Sequence, residues 1–258
     1  MKSNKIKSII LALLVVFAFC SFVLSSNASK KPKIVSQKSG SPAVSPELDE
    51  VLTRMDKAAP NFKSVQADFE WDQFTEVVNT TDVQKGQLFL QRHGNDIEAG
   101  VMVTDPPGKQ VAFSKQVVFK DGKVRMYEPN IDQITERAVG ANKADVESFL
   151  RLGFGERGHD LLKSYQVKLD GWETIDGVKT AKLELEGNAS SNIRNMFSRI
   201  IWWIDPDRDV SLRQQLFQPS PSKDYRLAHY SNIKLNARPS QDFFKIRSTS
   251  KTKTVIMK

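Results

Sequence analysis

Apolar and polar residues alternate along most of this chain, and the period of that alternation changes once near its beginning. Leu48, Val51, Leu52 and Met55 recur at helical spacing. Ser45 stands where an N-cap belongs, Pro46 suits a first helical turn, and Glu47, Asp49 and Glu50 favour the positive end of a helix dipole. This predicts an amphipathic helix that Pro60 closes. From Phe62 the period falls to that of a strand. Val65, Ala67, Phe69 and Trp71 alternate with Gln66, Asp68, Glu70 and Asp72, so one face is buried and the other wet. The same reading applies to Ile97, Ala99, Val101 and Val103, to Val111, Phe113, Val117 and Phe119, and to Ala181, Leu183 and Leu185.

Further strands are predicted over 86–92, 123–128, 165–171, 198–205, 210–218 and 225–235. Turn signals separate them: His93-Gly94-Asn95-Asp96, Pro106-Pro107-Gly108, Asp121-Gly122, Asp176-Gly177 and Asp205-Pro206-Asp207. Short strands joined this way build an antiparallel meander, not βαβ units. Asn142 to Leu162 interrupts it with helical pieces, in which Val146, Phe149, Leu150 and Leu152 are apolar and Leu161 and Leu162 follow a glycine-rich break. The outline is a helix, about five strands, a helical insert and about five more strands. Helical segments must cover the apolar face of such a sheet, or the sheet must close on itself.

That face is rich in large side chains, among them Phe69, Trp71, Phe113, Phe119, Met126, Ile200, Trp202 and Ile204. Two readings stay open at this point. The face can be a filled core, or a curved sheet can enclose an apolar cavity for acyl chains under thin helical cover.

Composition places the chain among ordinary globular proteins: 258 residues, 40% apolar and 26% charged. The formal net charge is +8, but three of the lysines, Lys2, Lys5 and Lys7, precede the apolar run Ile9 to Leu24. With the small residues Ser26-Asn27-Ala28 after it, this reads as a secretory signal over 1–28, cleaved after Ala28, and it places the mature protein in the periplasm. Phe19 before Cys20 argues against a lipoprotein signal, and Cys20 is the single cysteine, so neither disulfides nor thiolate chemistry are expected of the mature chain. Ser29 to Val44 is rich in Lys, Ser, Pro and Gly and reads as a flexible tether (29–44). The folded domain is expected over 45–247, with a basic tail over 248–258.

Catalytic patterns are missing: no His-Glu-x-x-His, Gly-x-Ser-x-Gly or Walker run occurs. His93, His159 and His229 lie beside turns or polar stretches, and the acids on strands fall mostly on the wet face. No enzyme, metal or cofactor is expected. Gly153-Phe154-Gly155-Glu156-Arg157-Gly158 matches G-x-G-x-x-G, but a helix precedes it and the sheet around it is antiparallel, so it reads as a break between helices. The basic residues do not form a stripe beside exposed aromatics, which disfavours a nucleic-acid partner; Ile201-Trp202-Trp203-Ile204 reads as a core strand.

The stretch Lys120-Asp121-Gly122-Lys123-Val124-Arg125-Met126-Tyr127-Glu128-Pro129-Asn130-Ile131-Asp132-Gln133-Ile134-Thr135 resembles one in the outer-membrane lipoprotein carrier family, the LolA-like periplasmic lipoprotein-sorting proteins. There an Asp-Gly turn leads to a Tyr-x-Pro strand end and a Gln-x-Thr strand. The opening helix followed by Phe62-Lys63-Ser64-Val65-Gln66-Ala67-Asp68-Phe69 is similar too, as are the closing segments Asn232-Ile233-Lys234-Leu235-Asn236 and Phe243-Phe244. The likeness spans roughly Ser45 to Arg247.

The resemblance implies a mainly β fold with α, an incomplete antiparallel β-barrel whose helical lid covers an apolar cavity. The implied cavity residues are Phe69, Trp71, Leu88, Leu90, Val101, Val103, Phe113, Phe119, Met126, Leu183, Leu185, Ile200, Trp202 and Ile204. The implied lid is Leu48, Val51, Leu52 and Met55 with Phe149, Leu150, Leu152 and Phe154. It further implies a monomeric carrier that takes an acylated lipoprotein or lipid from an inner-membrane ABC-type transporter to an outer-membrane receptor. The alternative is a membrane-tethered lipid-binding sensor or regulatory scaffold of the same fold. The family's loop carries an Arg-Pro that holds the lid; the matching loop here, Asp105-Pro106-Pro107-Gly108-Lys109, keeps Pro and has no Arg.

Overall fold

The computed structural model describes residues 44–94, 96–104, 113–140, 143–188, 192–219, 221–238, 240 and 243–257. The signal segment, nearly all of the tether, Cys20, Val111 and the Asp105–Lys109 loop lie outside the described residues.

The chain opens with helix α1 (Pro46–Ala58), whose first free N–H groups are met as the sequence predicts: Ser45 Oγ accepts from Leu48 N at 3.2 Å. A short 3₁₀ turn over Ala59–Asn61 ends it. Strands β1 (Ser64–Thr75), β2 (Thr80–His93), β3 (Asp96–Thr104), β4 (Lys115–Lys120), β5 (Lys123–Glu128) and β6 (Gln133–Ala138) follow. Helices α2 (Lys143–Arg151) and α3 (Gly158–Ser164) form the insert. Then come β7 (Tyr165–Ile175), β8 (Val178–Gly187), β9 (Arg199–Asp205), β10 (Val210–Phe217), β11 (Tyr225–Leu235) and β12 (Lys253–Met257).

All the strands belong to one 12-stranded sheet, in the order β12-β6-β5-β4-β3-β2-β1-β11-β10-β9-β8-β7. Two meanders meet where β1 pairs with β11, and every pairing is antiparallel except that of β12 with β6. The edge strands β7 and β12 do not pair with each other, so the barrel is incomplete. Asp121-Gly122 and Asp176-Gly177, both in the left-handed region, close the β4–β5 and β7–β8 hairpins.

Register decides which side chains share a face, because residues paired across a ladder point the same way. One row runs Leu183–Trp202–Gln214–Ala228–Trp71 across β8, β9, β10, β11 and β1. Another runs Ala67–Leu88–Val101–Val117–Met126 across β1 to β5. The helices sit on this inner face.

In three places the structure differs from the sequence expectation. The outer face is not uniformly wet: Phe89 is buried there against Phe243, Phe244 and Met102. The segment after β11 crosses that face and is pinned by the buried Gln116, which donates to Lys245 O at 3.1 Å and accepts from Arg247 N at 3.2 Å. The segment expected as a basic tail carries β12, parallel to β6, because Thr249 and Thr252 anchor the chain to Asp132 and Lys253 N donates to Asp132 O. Finally, β4 begins only at Lys115, opposite Val103. Ser114 N already donates to Val103 O, which leaves Phe113 out of the alternation and edge-on to Tyr127 on the outer side.

Candidate functional site

The inner face divides into two halves. Over β7 to β9 it is filled. Leu48, Val51, Leu52 and Met55 of α1 are buried against Ala181, Leu183, Leu185, Ile200, Trp202 and Ile204, and Trp202 is 0% exposed. These expected cavity and lid residues come together as a packed core. Helix α3 braces α1 from outside: His159 binds Asp56 through Nδ1 and Asp49 through Nε2, and those two carboxylates hold the imidazole pKa above its ordinary value.

The other half is not filled. An apolar cavity of about 80 Å³ lies between the sheet and the segment that runs through the end of α2. Its floor includes Trp71, Leu88, Leu90, Ala99, Val101, Ala228 and Tyr230, and its roof is Phe149, Leu150, Leu152 and Phe154. At roughly 30 Å³ per water-sized group the space holds about three such groups, too few for an acyl chain. Phe69 stacks on Trp71 with ring centroids 3.9 Å apart, and Phe154 meets Tyr230 edge-on. Val103 belongs to the same cluster as Phe69 and Trp71, while Phe119 packs under Val146 of α2. Met126 is buried on the inner face through its pairing with Val117. Phe113 is not brought to this cavity, for the reason given above. Two larger depressions, of about 550 Å³ and 400 Å³, open to solvent between side chains such as Glu50, Arg54 and Asp207, or Gln66, Asp68 and Lys234, and offer little apolar burial.

Sequence reasoning placed Ala99 on the buried face without assigning it to the cavity, and missed Gln214, Leu216, Arg226, Ala228 and Tyr230. The alternation of Arg226, Ala228 and Tyr230 in a predicted strand was a signal that could have found three of them. Arg226 hid the pattern by placing a charge on an inner face. It is 8% exposed, donates to Gln73 Oε1 at 3.3 Å and lies over the Trp71 ring, and burial draws its pKa down to about 10.

The glycine-rich break holds the roof to the sheet. Ser211 N donates to Gly153 O at 2.7 Å and Gly155 N to Asp209 O at 3.2 Å, flanking a bridge between Phe154 and Val210. Gly153 has a φ of +103°, and a Cβ there would fall 2.3 Å from Gln214 Nε2; at Gly155, with a φ of +76°, it would fall 2.4 Å from the Phe62 ring. Close approach and left-handed backbone therefore account for these two glycines. Arg92, which sequence reasoning did not single out, reaches from the end of β2 to donate to both Ala59 O and Gly155 O, tying α1, roof and sheet at one point.

Beside this tie lie two carboxyls, Glu156 half-buried and Asp209 buried. Arg151 donates to Glu156 at 3.1 Å, yet burial pushes the Glu156 pKa up. Asp209 is 0% exposed and neither of its carboxyl oxygens has a hydrogen-bond partner among the described residues. Burial first, and then the Glu156 charge, push its pKa up to about 8. An acid that holds its proton more tightly when folded stabilises the fold fully below its unfolded pKa of about 4 and loses that contribution as pH rises toward about 8. Asp209→Asn keeps the left-handed backbone and removes the charge. Thermal melts at pH 8 should rise by about 4–8 °C, the shift that roughly 2 kcal/mol produces in a chain of this size, with little change at pH 4. Equal melting of variant and wild type at pH 8 would show that the buried carboxyl imposes no such cost.

No protein-family model matches the sequence. No curated protein matches it either. Solved structures of similar architecture include an uncharacterized conserved protein from Thermus thermophilus, with a TM-score of 0.51 and 11% identity over 82% of this chain and 99% of that one. A LolA superfamily protein from Nitrosomonas europaea has a TM-score of 0.36 and 16% identity over 77% of this chain and 97% of its own. MucB in the MucA/MucB complex from Pseudomonas aeruginosa has a TM-score of 0.45 and 14% identity over 78% of this chain and 61% of the matched one. At these identities the likeness is one of fold alone: a single incomplete antiparallel sheet with helices seated on its inner face.

Proposed function

We propose that this protein is a periplasmic carrier, without catalysis, that takes the acyl chains of lipoproteins or related lipids beneath α2 and moves them from the inner to the outer membrane. One observation carries the reading: the inner face is packed shut under α1 but keeps an apolar gap under the roof formed by Phe149, Leu150, Leu152 and Phe154. A core built only for stability would fill both halves to the same density.

Loading then consists of lifting the roof, so that its side chains exchange contact with the floor for contact with an alkyl chain. Each methylene buried contributes ~0.8 kcal/mol. The roof is short, and its attachment to the sheet includes a few main-chain bonds, Arg92, and Gln214, which donates to Leu152 O. An inner-membrane transporter that supplies the cargo and an outer-membrane receptor that accepts it complete the proposed route, as the sequence resemblance implies.

An acyl chain bearing an environment-sensitive fluorophore tests this directly. The protein should bind it saturably and release it to competing palmitoylated peptide. Leu150→Asp, at a half-buried roof position, should weaken binding by about tenfold or more, because a carboxylate would have to enter the apolar gap, while leaving the melting temperature near that of wild type. Unchanged binding by this variant would place the acyl site elsewhere.

A further inference from the structure

Of the described residues that line the apolar cavity, Arg226 alone is charged. It projects from β11 on the inner face, in register with Leu216 on β10 and Gln73 on β1. Gln73 accepts from its Nε, and its guanidinium carbon lies 5.5 Å from the centre of the Trp71 ring. Two neutral polar groups stand deeper along the same wall, Gln214 in the row of Trp71 and Tyr230 in the row of Phe69. Tyr230 donates to Gln214 Oε1, and Gln214 donates to Leu152 O in the roof. The wall therefore carries its one cation at the level of Gln73 and its neutral polar groups deeper in, among the hydrocarbon that runs from Trp71 to Val101.

The level of Gln73 is also where the hollow ends. Beyond it β1 and β2 leave the core as a hairpin whose tip exposes Val77 and Val78. A cation at the rim of an apolar hollow is the arrangement that orients an amphiphile, head at the rim and chain inward. The planar guanidinium fits a carboxylate or phosphate through paired N–H donors.

We propose that Arg226 receives the anionic head of the cargo, a carboxylate or a phosphate monoester, while the chain lies along the wall from Trp71 toward Leu150 and Phe154. This inference rests on the carrier reading and narrows its cargo to anionic amphiphiles. A purely structural Arg226, present only to stack on Trp71 and bond Gln73, would give no preference between ligands of equal chain and different head.

The test compares oleate, its methyl ester and oleoyl lysophosphatidate as competitors of a fluorescent acyl probe on the full chain. At least one of the two anionic ligands should bind wild-type protein roughly ten- to a hundredfold more tightly than the ester, the range expected of hydrogen bonds to charged groups. Which of the two gains more identifies the head. In Arg226→Gln the advantage of the anionic ligands over the ester should fall to within about twofold. Equal binding of all three to wild type, or an advantage that survives in a folded Arg226→Gln, overturns the headgroup assignment and leaves the carrier reading standing. Binding of none of the three overturns the carrier reading itself. Should Arg226→Gln fail to fold, oleate labelled with ¹³C at its carboxyl and bound to wild-type protein decides by NMR titration. A cation beside the head holds the carboxyl pKa below that of the free acid, and an apolar site without one raises it.

Discussion

Trp202→Ala will cost about 3–5 kcal/mol of unfolding free energy, the loss typical of deleting a fully buried aromatic side chain. Trp202 lies at the centre of the packed half, 0% exposed, between Leu183 on β8 and Gln214 on β10 and beneath α1. Its indole N–H has no hydrogen-bond partner among the described residues, so Trp202→Phe loses volume but no bond and should cost markedly less than the alanine variant. Chemical denaturation of the two variants measures both numbers. The pair also tests the division of the inner face. If Trp202→Ala cost under about 1 kcal/mol, the α1 half would not be the rigid core on which the rest depends.

Arg92→Met will loosen the roof. It removes a charged donor from Ala59 O and Gly155 O and takes a positive charge away from Glu156 and Asp209, while keeping most of the side-chain volume. Hydrogen bonds to charged groups contribute about 1.5–3 kcal/mol each, so a loss of about 2–4 kcal/mol is expected for a side chain that is only half-buried. The distribution of the loss matters more than its size. Amide exchange over α2 and residues 152–158 should accelerate at least as much as global stability falls, because these amides open with the roof. Amides of β8 and β9 should follow global unfolding alone. Uniform acceleration across both regions would mean that Arg92 supports the whole fold and does not specifically fasten the roof.

Much of this architecture could be read from the chain. β5 and β11 begin and end where the sequence predicts, since alternation and flanking turns agree there: Asp121-Gly122 before β5, and a polar stretch before Tyr225. Every expected cavity residue except Phe113 falls on the inner face, because a period of two fixes a strand's facing once any residue in it is placed. What could not be read is tertiary. Lys253–Met257 shows no alternation and becomes a strand through the edge of β6 and the anchoring at Asp132. Leu88-Phe89-Leu90 is a continuous apolar run, a sign that both faces of β2 are covered, but the cover comes from Phe243 and Phe244, about 150 residues later in the chain. The division of the inner face into a packed and a hollow half depends on where α1 and α2 come to rest, and hydrophobic pattern carries no record of that. Arg226 was passed over because a charge in an otherwise alternating strand reads as a solvated position.

Native mass spectrometry of the protein purified from the cell envelope, without added lipid, decides whether the apolar gap carries cargo. A carrier shows a population heavier than the bare chain by the mass of one acylated molecule, lost when Leu150 is replaced by Asp. A wild-type protein that carries no such mass, and acquires none when incubated with acylated peptide or lipid, would contradict the carrier reading.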